Sequence, residues 1–271
     1  MTAPAADMPL ARVTVPYRVR FDECGPDGLA RTSALLRYAQ DIAWIHSERA
    51  GFDRAWYLER GLAWVVRTAE VGVGRPIPLG ATLTITTRVI GVRKVWARRR
   101  TDAVLADGTL AMWGHTDWVI TDERGMPTRI PPEFAGRFAV PPGSFEPGRV
   151  LLPPTPAGAA ITASSVRPQD LDPMGHVNNA AYLDYLEEAV RGAGPAAQHA
   201  LSAVPRTVRL EYLVPATPGA ALVGQAWPGD PGGPASAWAW RLLDGEGREL
   251  TRGSLTAGDA APPAWPQEGS R

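Results

Sequence analysis

Cysteine and lysine are almost missing from this sequence. Cys24 is the one thiol among 271 residues, so no disulfide can close within the chain, and no Cys/His cluster has zinc-ligand spacing. A reducing, cytoplasmic location and a protein with neither metal nor cofactor follow as expectations. Lys94 is the one lysine, and arginine carries the rest of the positive charge. Lys+Arg and Asp+Glu both number 28, so the formal net charge is zero and no global field would draw in nucleic acid or an anionic membrane. No run approaches the ~20 apolar residues that cross a bilayer. Met1 to Arg12 also lacks the basic-then-apolar order of a leader, so the expectation is an unprocessed chain with no membrane partner.

What is present is a repeat. The apolar content of 45% and charged content of 21% suit a globular chain of one large or two ordinary domains. Setting Gly28 on Gly175, an offset of 147, places Val19-Arg20 on Val166-Arg167, Glu23 on Asp170, Pro26 on Pro173 and Tyr38 on Tyr185. Beyond the first helix the offset is 139, with Pro76, Gly80 and Leu83 on Pro215, Gly219 and Leu222, and Gly114 on Gly253. The shift means eight residues fewer after the second helix. Two copies of one domain explain this better than one continuous fold.

Each copy reads as strand, turn, helix and then several strands. Val13 to Phe21 is strand-like, and Thr32 to Arg49 carries helical spacing through Leu35, Leu36, Ala39, Ile42 and Ala43, with Thr32 or Ser33 as cap. Strands are expected at Leu62–Val73, Ala81–Ile90, Val92–Leu105 and Thr109–Thr121. The second copy gives a helix from near Asn179 to Arg191, then strands near Thr207–Val214, Ala220–Trp227, Ser236–Leu243 and Glu249–Ala257. The expected class is α+β, with a long central helix wrapped by an antiparallel sheet in each copy and the copies paired as an intrachain pseudo-dimer. The domains are placed at 12–130 and 161–257, joined by a Pro/Gly-rich extended connector at 131–160 and followed by a disordered tail at 258–271. Such a chain is a monomer with an internal pseudo-dimer, or a homodimer.

Chemistry concentrates in Asp172-Pro173-Met174-Gly175-His176-Val177-Asn178-Asn179. This segment sets a carboxylate and an imidazole just ahead of a helix N-terminus, whose free N–H groups and about half a unit of positive charge suit a developing oxyanion. An Asp before a helix is also a common turn or capping residue. His176, four residues on, either takes its orientation from Asp172 or packs against a backbone carbonyl. Asn178 and Asn179 read as caps by side chain, with Asn178 and Tyr182 also beside any bound substrate, and Asp170 reads as a turn carboxylate. The first copy has Gly25 and Leu29 where Asp172 and His176 stand, so one active site is expected.

Taken together, Asp170-Leu171-Asp172, Gly175-His176-Val177-Asn178-Asn179 and Tyr182 in the second half resemble the hotdog-fold thioesterases. So do His46-Ser47-Glu48-Arg49-Ala50-Gly51 and Trp64-Val65-Val66 in the first, and the tandem layout resembles the acyl-acyl carrier protein thioesterases. The resemblance covers roughly residues 12 to 257 and implies hydrolysis of an acyl carrier protein or coenzyme A thioester. It assigns the backbone amide of Asn179 to polarise the carbonyl, and Asp172 to attack or to activate water. Two departures stand out. The plant-type enzymes carry an asparagine where this chain has Met174 and a Glu-Cys pair where Pro215-Ala216 align, so the site looks closer to single-domain acyl-CoA thioesterases. Tyr182, Leu183, Tyr185 and Leu186, with Leu36, Ala39, Ile42, Ala43 and Trp64 from the first half, are candidate acyl-channel walls. Arg98 and Arg100 share a strand face and are candidates for coenzyme A phosphates or an acidic carrier, against the alternative of a solvated strand edge. A non-catalytic acyl-binding or carrier-docking module and a hydratase or dehydratase stand as other readings.

Overall fold

The structure is a computed structural model that describes residues 9–140, 145–229, 236–258 and 260–261. Strand β1 spans Val13–Arg18, and a single 3₁₀ turn at Phe21–Glu23 replaces the expected strand end at Phe21. Helix α1 follows at Thr32–Arg49, a short α2 at Arg54–Glu59, and strands β2 (Ala63–Val73), β3 (Thr82–Arg93), β4 (Trp96–Val104) and β5 (Leu110–Thr121). Helix α3 (Glu133–Arg137) lies in the connector. The second half repeats the order with β6 (Ala160–Ser165), a 3₁₀ turn at Pro168–Asp170, α4 (Ala181–Gly192), α5 (Pro195–Ser202), β7 (Arg206–Tyr212), β8 (Ala221–Pro228), β9 (Ala237–Asp244) and β10 (Glu249–Ala257).

Among the described residues these strands form one ten-stranded antiparallel sheet in the order β1-β3-β4-β5-β2-β7-β10-β9-β8-β6. The halves meet where β2 pairs with β7. Both central helices lie against the sheet on their apolar stripes. Leu35, Leu36, Ala39 and Ile42 are buried on α1, and Tyr182, Leu183, Tyr185, Leu186 and Ala189 on α4. A single apolar core runs through both halves. Neither Thr32 nor Ser33 is the cap of α1. The cap position falls on Arg31, while Thr32 Oγ1 accepts from Arg206 Nη2 at 3.0 Å and the buried Ser33 hydroxyl has no partner among the described residues.

The connector departs from the extended segment that its proline content suggests. Phe134 of α3 and Phe138 just after it are buried beside Phe52 and Tyr57 in a second apolar cluster, because aromatic surface outweighs proline's preference for extended chain. Further on, Gly148 N–H donates to Asp117 at 2.7 Å and Val150 N–H to Glu211 at 3.0 Å, which straps the connector to the sheet. The start of the expected disordered tail also docks, since Ala260 is buried and its carbonyl accepts from the Trp113 indole at 2.8 Å. Residues 259 and 262–271 of that tail lie outside the described set.

The internal two-fold relation passes through two ion pairs. Glu70 and Arg209 are equivalent positions, 139 apart, that face each other across the β2–β7 seam and pair at 2.6 Å. Arg37 and Asp184 are equivalent positions, 147 apart, that pair at 2.7 Å between α1 and α4. A symmetric pair of identical copies would set like charges at both places. Opposite charges therefore favour pairing of the first half with the second over either half with itself. Each pair is partly exposed, so its contribution is about 0.2–1 kcal/mol. Reversing Glu70 to Arg should lower the melting temperature by a few degrees, and adding Arg209→Glu should recover most of it. A double variant melting as low as the worse single one would contradict this role.

Candidate active site

The same local scaffold is built twice. A one-residue β-bridge joins Leu171 to Val177 and another joins Cys24 to Ala30. Asp172 N–H donates to His176 O at 2.8 Å, and Gly25 N–H to Leu29 O at 2.9 Å. Gly175 and Gly28 take φ of 77° and 73° at the apex of these loops, a region that glycine enters without a Cβ penalty. Behind each loop a buried acid ties the 3₁₀ turn to the central helix. Asp170 accepts from Arg167 Nε and Nη2 at 2.9 and 3.0 Å and from Tyr185 at 2.6 Å, while Glu23 pairs with Arg20 and accepts from Tyr38. Burial opposes ionisation of Asp170, yet the bonds from Arg167 and Tyr185 bring its pKa below the usual carboxylate value. Asp170 is thus a positioning group.

Within this frame the two readings of Asp172 coexist. Its Oδ1 accepts from Met174 N–H at 2.9 Å and His176 N–H at 3.2 Å, which closes the turn. Oδ2 has no hydrogen-bond partner among the described residues, so one oxygen is held and the other is available. The contact with His176 is made by its backbone. The imidazole is exposed and has no hydrogen-bond partner among the described residues, which removes the expected Asp172–imidazole pair.

Helix α4 starts at Ala181, two residues after Asn179. Asn178 Oδ1 accepts from Ala180 N–H at 2.9 Å, and Asn178 N–H donates to Asp170 O at 2.8 Å, so Asn178 locks the turn ahead of α4, while the cap position itself falls on Ala180 with no side-chain cap bond. Asn179 N–H has no partner among the described residues, while its carbonyl accepts from the Tyr212 hydroxyl at 2.8 Å. An unpartnered amide at the start of α4 is a ready donor to a developing oxyanion. Tyr182 stacks edge-on against Tyr212 and accepts from Ala216 N–H at 2.9 Å. Burial raises the Tyr182 pKa and the nearby Asp172 carboxylate adds to it. Sequence reading missed Tyr212, because one tyrosine in an alternating strand carries no signal of its own.

The copies differ in how the loop is tethered. In the first, Ala30 N–H donates to Ile77 O at 2.8 Å and Leu79 N–H to Gly28 O at 2.9 Å, which staples the loop to the segment before β3. The residue equivalent to Leu79 is Pro218, which has no N–H to give, and neither bond recurs in the second copy among the described residues. The loop that keeps the acid is therefore the one left unstapled. One surface cleft lies at the first copy's loop, lined by Gly25, Asp27, Leu29, Arg31, Glu187 and Arg206. Another lies on the sheet between Arg98, His115, Asp117 and the connector.

The remaining candidates are placed elsewhere. Arg98 is held by Asp117 through bonds of 2.6 and 2.8 Å, and Arg100 is buried and paired with Asp102 at 2.6 Å. Neither is a free surface cation for a phosphate, because both guanidiniums neutralise carboxylates of their own sheet. Trp64 donates to the Tyr57 hydroxyl at 3.0 Å and packs on Phe134, inside the aromatic cluster of the first half.

Two histidines stand outside the site in cationic surroundings. Burial and Arg99 hold His46 down to about 4, and burial with Arg100 and Arg98 holds His115 at about 4. Both are neutral in the folded protein and protonate once the chain unfolds below about 6.5, so their contribution is complete above that pH and disappears as pH falls toward 4. The urea midpoint should drop between pH 7 and pH 4, and replacing both with Gln should flatten the drop. An equally steep drop in that variant would contradict the assignment.

Two helices, each against its half of a continuous antiparallel sheet and joined about an internal two-fold, make this a tandem hotdog protein. A model of the acyl-ACP thioesterase N-terminal domain matches residues 12–138, and one of the thioesterase-like superfamily matches residues 166–219. A palmitoyl-acyl carrier protein thioesterase of Cuphea hookeriana is 26% identical over 64% of this chain and 45% of its own length. The chain thus spans about half of that relative. The fold matches a solved structure from Lactobacillus plantarum (TM-score 0.80, 21% identity, 92% of this chain and 98% of that one). It also matches the 12:0-ACP thioesterase of Umbellularia californica (TM-score 0.75, 22% identity, 91% and 96%). No helix among the described residues is long and apolar enough to cross a membrane.

Proposed function

We propose that this protein hydrolyses an acyl thioester carried on acyl carrier protein, releasing a free acid and the carrier thiol, at one site per chain built on Asp172. The observation that carries the proposal is the free Oδ2 of Asp172 on the same loop as the unpartnered Asn179 amide. The Asn179 N–H and the start of α4 polarise the thioester carbonyl and stabilise the oxyanion. Asp172 delivers the attack through water, and the carbon–sulfur bond breaks as the thiolate leaves with that proton. Oδ1 stays bound to the turn, so the carboxylate is oriented before substrate arrives. Coenzyme A thioesters share the reacting bond and form a second substrate group. The lone free Cys24 suits a cytoplasmic setting.

Asp172→Asn separates the two roles of this residue. An amide oxygen still closes the turn, whereas the base is gone. Thiol release from an acyl-carrier substrate should fall by about 10²-fold or more, with the melting temperature within two or three degrees of wild type, given as a rough bound. Turnover near the wild-type rate would overturn the assignment.

A further inference from the structure

The first copy's cleft contains a residue that belongs to the other half. Glu187 of α4 lines it together with Gly25, Asp27, Leu29 and Arg31, so the central helix of one half reaches over the loop of its partner. Glu187 lies 147 residues beyond Gln40. The same offset relates the two bridged loops, the two tyrosine–acid pairs and the Arg37–Asp184 pair, so it is a spatial equivalence as well as a sequence one. By this equivalence the position of Gln40 on α1 corresponds, toward the Asp172–Asn178 loop, to that of Glu187 toward the first. The carboxamide oxygen of Gln40 is buried and has no hydrogen-bond partner among the described residues. A buried acceptor left unpaired is destabilising, and a group that keeps one calls for a reason such as a catalytic role.

We infer that Gln40 is a further catalytic residue, contributed by the first half to the Asp172 site, where its carboxamide oxygen accepts a hydrogen bond from the attacking water. The inference rests on the hydrolase reading given above. Water presents two hydrogens. Asp172 takes one as the carbon–oxygen bond forms, and Gln40 holds the other, which aims the remaining lone pair at the carbonyl carbon. The proton on Asp172 then passes to the departing thiolate, so the carboxylate is regenerated and no other reactant is needed. In the first copy the counterpart Glu187 lines a cleft in which Gly25 stands at the position of Asp172.

The test is steady-state thiol release with acyl-carrier substrate, run on wild type, Asp172→Asn, Gln40→Leu, Gln40→Glu and Glu187→Gln, each with a melting curve. Gln40→Leu should lower kcat by about tenfold or more with KM within about twofold. Its melting temperature should hold or rise, because an unsatisfied buried polar atom is removed. Gln40→Glu should retain more activity and move the acid limb of the kcat profile to higher pH, since a second carboxyl beside Asp172 disfavours ionisation. Glu187→Gln should match wild type. Wild-type kcat in Gln40→Leu, while Asp172→Asn is inert, overturns this inference alone. Loss of kcat in Gln40→Leu only in step with lost stability overturns it as well. A wild-type protein without thiol release overturns the hydrolase reading and this inference together.

Discussion

The seam between β2 and β7 is the constraint on which the rest of the molecule depends. Each half alone would leave a sheet edge and one side of its helix open, and pairing Thr68–Val73 with Arg206–Glu211 closes both at once. Glu70 and Arg209 mark the internal two-fold on the sheet, as Arg37 and Asp184 mark it between the helices. Identical copies could not hold opposite charges at these positions. Fusion into one chain let the two sides of a symmetric interface diverge, and the charge pattern records the divergence.

The same freedom explains the two loops. The first keeps its scaffold of bridge, left-handed glycine and tyrosine–acid tether, yet it has Gly25 and Leu29 in place of Asp172 and His176 and is stapled to Ile77 and Leu79. In the second, Pro218 cannot donate the matching bond, and the loop carries Asp172 in front of an unpartnered amide. On α1, Gln40 stands at the position equivalent to Glu187, which lines the cleft at the first copy's loop.

Much of this was legible in the residues. Thr32–Arg49 was readable as a helix to the residue, since its apolar spacing is uninterrupted, and Glu249–Ala257 likewise as a strand. The connector was not, because Phe134 and Phe138 announce burial only once the aromatic cluster around Phe52 exists. Asp172 and Asn179 stand in one local string, and the structure places that string in the loop directly before α4. Arg98 and Arg100 misled for a physical reason: strand alternation gives the face of a residue but not its partner, and Asp117 and Asp102 arrive from pairing and chain geometry. The His176 imidazole misled similarly, since proximity in sequence brought its backbone to Asp172 and left its ring in solvent.

The central claim is that the duplicated chain retains a single working site. Titration of the full chain with a non-hydrolysable acyl-carrier thioether, followed by calorimetry, measures this directly. The account predicts one ligand bound per chain in wild type and one in Glu187→Gln. Two equivalent ligands per chain, or one that is displaced by Glu187→Gln, would contradict it.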